Sequence, residues 1–165
     1  MLGAIVSANY AFRWEISLRG RPFLVDGNER NVNVSLALLD LTTPDATVGV
    51  FWAGSIPYFT ERVAHDCLGK SDKYIARLAP DTSGNVAWDG MTSVPGHNKY
   101  DLNYSLKKLR PTYVQYVKWG SHDLSEWASQ AYVLVNYKGT EFLLLRGSKD
   151  VHWDKVARLS AAHVY

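Results

Sequence analysis

The chain has 165 residues, 47% of them apolar, with 18 Lys or Arg against 16 Asp or Glu. A formal charge of +2 excludes an acidic disordered tail and falls far short of the basic footprint of a dedicated DNA binder. The unusual quantity is the aromatic content: six Trp, ten Tyr and five Phe, 13% of the sequence.

A chain of this length buries roughly 70% of the surface that its unfolded form exposes, enough for one core without staples. The sequence therefore predicts one domain over residues 1–165. The single cysteine, Cys67, allows no intramolecular disulfide, which favours a reducing compartment. The first ten residues lack the basic flank of a secretory leader, and no window approaches 18 consecutive apolar residues. These features predict a cytoplasmic chain with no membrane span.

Alternation of period two dominates the first third. Phe12, Trp14, Ile16 and Leu18 alternate with Arg13, Glu15 and Ser17, the pattern of a strand with one wet face. Gly20 predicts a turn into a second strand over residues 22–25, and Asp26–Glu29 a further turn. Val32, Val34, Leu36 and Leu38 then repeat the alternation, before Leu38-Leu39-Asp40-Leu41 breaks its phase in the manner of a bulge.

Val48–Trp52 reads as a strand apolar on both faces. Residues 56–68 predict a helix, with Ser55 as cap, Pro57 in the first turn and Gly69 as stop. Lys73–Ala79 fits helix or strand up to Pro80. Turn residues 80–85 lead through Val86–Trp88 to a long loop, Asp89–Asn98, whose length marks it as a functional candidate.

Tyr100, Leu102, Tyr104 and Leu106 alternate with polar residues as a further half-buried strand, and Pro111 separates it from another over 112–119. Gly120–Asp123 reads as a turn or the start of a helix. Residues 131–137 and 141–146 predict a hairpin of two central strands across Lys138-Gly139. Residues 150–165 carry both a helical and a strand-like stripe; their alanines and Asp150 favour helix. The sum is a mainly β fold, an antiparallel β-sandwich or barrel of about nine to ten strands, with one helix near 56–68 and a C-terminal helix.

Cys67 follows His65 by two residues, a spacing that does not bring side chains together on a helix, and it sits near the predicted helix end. It reads as a packed, inert thiol. The five His are scattered without metal-ligand spacing, and Asp81-Thr82-Ser83-Gly84-Asn85 lacks the further acids of a calcium loop. No phosphate loop, dinucleotide fingerprint or nucleophile elbow occurs, and no cofactor or metal is expected. The stretch 99–119 interleaves Lys and Arg with Tyr and Trp as single-strand binders do, but Tyr100 and Tyr104 share the face of Leu102 and Leu106 and so point inward. No nucleic acid partner is expected.

The informative residues are aromatic rings set among short polar ones. Trp88 and Asp89 open the long loop that ends at His97 and Asn98, and Trp119 stands beside Gly120, Ser121, His122 and Asp123. A ring of this kind stacks on the C–H face of a pyranose while its polar neighbours bond the hydroxyls. The leading expectation is a lectin-like module that binds carbohydrate through Trp88, Asp89, His97, Asn98, Trp119, His122 and Asp123. Two alternatives stay open. One is a small β-barrel enzyme or carrier for an apolar small molecule, with His97 and His122-Asp123 as the acid–base groups. The other is an assembly protein, since aromatic surfaces and free strand edges favour homo-oligomers.

Overall fold

The computed structural model describes residues 10–17, 19–22, 25–83 and 95–161. Helices α1 (Tyr10–Ile16) and α2 (Val25–Leu41) precede strand β1 (Thr47–Val50), helix α3 (Ser55–Thr60) and strand β2 (Val63–Asp66). A 3₁₀ turn at Ile75–Arg77 and a π-helical segment, Asn103–Lys108, lead to β3 (Tyr113–Val114). The short strands β4 (Lys118–Trp119) and β5 (His122–Asp123) follow, then helix α4 (Ser125–Ala131), β6 (Tyr132–Tyr137), β7 (Thr140–Leu145) and helix α5 (Trp153–Ala161).

Five strands form one open sheet in the order β2-β1-β3-β7-β6, and β4 and β5 form a separate antiparallel pair. β1 runs parallel to both β2 and β3, whereas β7 is antiparallel to β3 and to β6. The predicted mainly β sandwich or barrel is therefore incorrect. The fold is mixed α/β, its sheet does not close, and helices cover both faces. Alternate strand residues feed two cores. Val48, Val50, Tyr113, Phe142 and Leu144 pack with α2, α3 and α5 on one face. Val114 and Tyr132 pack on the other with Leu106 of the π-helical segment and Ala128 of α4. Leu144 is fully buried in the middle of the sheet, a site where truncation to Ala typically costs about 2–5 kcal/mol.

Each reassigned element has a local reason. Residues 32–38 are helix, not strand: α2 buries Val34, Ala37, Leu38 and Leu41, a three-to-four spacing, and leaves Leu36 outside. Gly27, Asn28, Asn31 and Asn33 are weak helix formers, so this helix depends on packing rather than propensity. The segment near Trp14 is the helix α1, with Ser17 N–H donating to the Arg13 carbonyl at 3.1 Å. The predicted helix 56–68 is half right. Glu61, in the left-handed region at φ 54°, ends α3, and the chain leaves it as β2. Tyr100–Leu106 forms no strand; Leu102, Ser105 and Leu106 bury one side of a helical segment.

The hairpin across Lys138-Gly139 forms as predicted, but only β7 is central, since β6 lies at the sheet edge. Within the ambiguous C-terminal segment, residues 153–161 are helix, as α5. Residues 86–88 of the expected strand fall outside the described residues. No described helix is long and apolar enough to cross a membrane.

The order of connection creates one special place. From β1 the chain passes through α3 to β2 on one side of β1; it returns to place β3 on the other side. β1 and β3 are thus parallel neighbours whose following segments depart in opposite directions. In open α/β sheets, the crevice outside the carboxyl ends of such a pair is where ligands bind.

Candidate functional site

Phe51 and Trp52 follow β1, and Gln115 and Tyr116 follow β3, so all four stand at this crevice. Gln115 fixes the junction. Its backbone N–H donates to the Gly49 carbonyl at 2.9 Å, and its side-chain Oε1 accepts from the backbone N–H of Phe51 at 2.8 Å and of Trp52 at 3.0 Å. Its Nε2 donates to Asn31 Oδ1 on α2 at 3.1 Å. One amide thereby ties two strand ends to a helix and sets the direction in which Trp52 leaves the sheet.

The rings that meet here come from three distant parts of the sequence. Trp52 lies 5.4 Å from the His97 ring and 5.9 Å, edge-on, from Trp119. Phe51 packs against Tyr116 and Trp119, at 5.4 and 5.0 Å, from beneath. Phe51 is fully buried, whereas Trp52, His97, Tyr116 and Trp119 are half-buried and reach the surface. Two polar contacts orient them: Trp52 Nε1 donates to the Tyr116 hydroxyl at 3.4 Å, and Trp119 Nε1 to the His97 carbonyl at 2.9 Å. Burial, with the nearby Lys70 ammonium, pushes His97 below the usual imidazole range.

Lys70 stands over Trp52, with Nζ 6.0 Å from the ring centre. An open cleft of about 440 Å³ continues from it, lined by Gly69, Lys70, Pro95, Gly96, Asn98 and Lys99. The loop that carries Lys70 is wound around Asp66. One carboxylate oxygen accepts the Leu68 N–H at 3.0 Å and the other the Ser71 N–H at 2.7 Å.

Beside this cluster lies a second polar network. The Tyr100 hydroxyl donates to Asp81 and accepts the Ser121 N–H at 2.9 Å, while Asp81 also accepts from Ser83. The Ser83 and Tyr100 hydrogen bonds hold the Asp81 carboxyl well below the usual carboxylate range. Gly120, at φ 54°, lets Tyr100 approach: a Cβ there would overlap the tyrosine hydroxyl.

Of the predicted residues, the structure brings together His97, Asn98 and Trp119. Asn98 is 7% exposed, and its carbonyl accepts the Asp81 N–H at 2.6 Å. His122 turns away: its Nδ1 accepts the Leu102 N–H at 3.2 Å and its ring meets Tyr100 edge-on. Asp123 pairs with Lys118 at 3.1 Å across the β4–β5 hairpin and caps Ser125. Trp88 and Asp89 lie outside the described residues. Sequence reasoning missed Trp52, Tyr116 and Lys70. The signal for Trp52 was its place at the end of an apolar run, where a strand meets its loop.

Cys67 is fully buried and burial pushes its thiol up to about 12, in line with a packed, unreactive side chain. Among the described residues no group of three His, Cys, Asp or Glu could hold a metal ion.

Fold and site together define an open mixed α/β protein with an aromatic cluster seated at its switch point. Residues 19–162 match the family described as Domain of unknown function (DUF8728), and the chain belongs to that family. No curated protein and no solved structure matches it.

Proposed function

We propose that this protein is a binding module for carbohydrate, with its site at the carboxyl ends of β1 and β3. The observation that carries the reading is the meeting of Trp52, His97, Tyr116 and Trp119 at the switch-point crevice. Indole faces supply the flat apolar surface that a pyranose stacks on; the Tyr116 hydroxyl and the imidazole supply short polar partners for its hydroxyls. Rings buried purely for packing would not need to reach solvent at the one crevice that the topology opens.

The barrel on which the enzyme-or-carrier alternative rests is not formed, because the sheet is open. Titration of tryptophan fluorescence with a panel of neutral and charged oligosaccharides tests the proposal. Binding that disappears in Trp52→Ala, while the variant keeps its far-ultraviolet dichroism, supports it. Saccharide binding that Trp52→Ala and Trp119→Ala leave unchanged would move the site elsewhere.

Self-association is a second reading with its own observation. Tyr58 and Phe59 on α3 and Val63 on the edge strand β2 are 77%, 48% and 66% exposed. Sedimentation of the wild type beside Val63→Lys tests it: a dimer lost on substitution supports assembly through this edge, and a monomer at all concentrations rejects it.

A further inference from the structure

Resting on the carbohydrate reading above, we infer that the ligand is an anionic saccharide, one whose sugar ring carries a carboxylate, sulfate or phosphate. Two lysines at the cleft, Lys70 and Lys99, form no ion pair among the described residues.

Asp66, at the end of β2, and the loop after it, with Lys70, Asp72 and Lys73, place two carboxylates and two lysines around one bend, and the carboxylates and Lys70 are used differently. Asp66 is buried and turned inward onto the Leu68 and Ser71 N–H groups. Asp72 accepts the Tyr74 and Ile75 N–H groups at 2.8 and 2.9 Å and so caps the 3₁₀ turn. Both carboxylates are held by backbone N–H groups of the loop and form no ion pair with a lysine among the described residues. Lys70, between them, makes none of the ion pairs formed among the described residues. Its ammonium rests over Trp52 instead.

The second lysine of the cleft, Lys99, donates to the Ala76 carbonyl at 2.8 Å and forms no ion pair among the described residues. No Asp or Glu lines the cleft among the described residues. Asp101, two residues beyond Lys99, accepts the Tyr104 N–H and the Tyr74 hydroxyl, and Asp81 is turned into the Tyr100–Ser83 network. A site for a neutral sugar gains most from carboxylates, which accept hydroxyl protons in strong charge-assisted bonds. Here the charged donors are cationic, which suits a ligand that brings the acceptor oxygens itself. Stacking on Trp52 and pairing with Lys70 would act on adjacent parts of one residue of the glycan.

The test compares three probes on the intact protein: a neutral glucose oligosaccharide, its glucuronic acid counterpart, and inorganic phosphate. Titration calorimetry at low and high salt follows wild type, Lys70→Met, Lys70→Arg and Trp52→Ala. The inference expects the uronate probe to bind about tenfold or more tightly than the neutral one, with the difference shrinking at high salt. Lys70→Met should erase that preference by weakening the uronate probe far more than the neutral one, and Lys70→Arg should restore most of it. Sulfated and phosphorylated sugars then show which anion fits best.

Neutral binding that depends on Trp52 without any preference for charge overturns the anionic assignment and keeps the carbohydrate reading. Phosphate binding as tightly as the sugars, and indifferent to Trp52→Ala, overturns the carbohydrate reading itself. Binding of none of the probes overturns both.

Discussion

The indole of Trp119 donates its N–H to the backbone carbonyl of His97 at 2.9 Å, joining two segments 22 positions apart. This bond holds the turn before Lys99 against the β4–β5 hairpin and sets the His97 ring beside Trp52. Trp119→Phe keeps most of the ring and removes the donor. A half-buried carbonyl then loses its partner, at an expected cost of about 1 kcal/mol in urea unfolding. Saccharide affinity should fall more than stability does, because the platform loses its alignment.

Gln115→Met deletes the acceptor for two backbone N–H groups and the link to Asn31 while conserving volume. Leaving both donors unsatisfied at a covered strand end predicts a loss of about 2–4 kcal/mol. Chemical denaturation measures it. A loss below that of an ordinary surface substitution would show that the junction is held by packing alone.

Gly120 and Gly139 both have positive φ, at 54° and 82°, but only Gly120 is crowded. Gly139→Ala meets open space and should cost only the left-handed conformation, about 1–2 kcal/mol. Gly120→Ala must also displace Tyr100, which is 8% exposed and bonded to Asp81 and Ser121. The expected order in paired thermal melts is a clearly larger loss for Gly120→Ala, with the Tyr100 environment disturbed in near-ultraviolet dichroism.

Two ionisable groups, Asp123 and Cys67, are shifted in opposite directions. Asp123 is held near about 2 by hydrogen bonds from Ser125 and by Lys118. A depressed acid contributes stability that is present above its unfolded pKa, near 3.9, and lost as pH falls through about 2. Cys67 is shifted the other way, to about 12, so its contribution is complete below the unfolded value near 8.5 and lost as pH rises toward 12. A thiol reagent at pH 8 should leave native Cys67 unmodified and label it fully in urea. Labelling of the folded chain at the unfolded rate would contradict its burial.

Part of this was legible in the sequence, and the limits have physical causes. The β6–β7 hairpin was readable because its register is local, set by Lys138-Gly139 and two dense apolar runs. α2 was not, because Val34 and Leu38 satisfy both periods; only the burial of Ala37 and Leu41, with Leu36 outside, separates helix from strand. The parallel pairing of β1 with β2 and β3 leaves no local trace, since four- and two-residue strands are defined by partners far along the chain.

The site shows the same division. His97, Asn98 and Trp119 stood out as a histidine, an amide and a ring in polar surroundings. Trp52 closed an apolar run and Tyr116 lay within a predicted strand; the order of strands places both at a crevice. His122 and Asp123 had the right chemistry, but the two-residue strand β5 directs one to Leu102 and the other to Lys118.

The central claim is that a saccharide stacks on the Trp52–Trp119 platform, and thermal unfolding of wild type and Trp52→Ala with a saccharide panel tests it most directly. A ligand at a hundred times its dissociation constant stabilises by about 2.7 kcal/mol, which for a chain of this size raises the midpoint by roughly 5–10 °C. The account predicts such a rise for at least one saccharide in the wild type and none in Trp52→Ala. An equal rise in both proteins, or a flat response of the wild type across the whole panel, would contradict it.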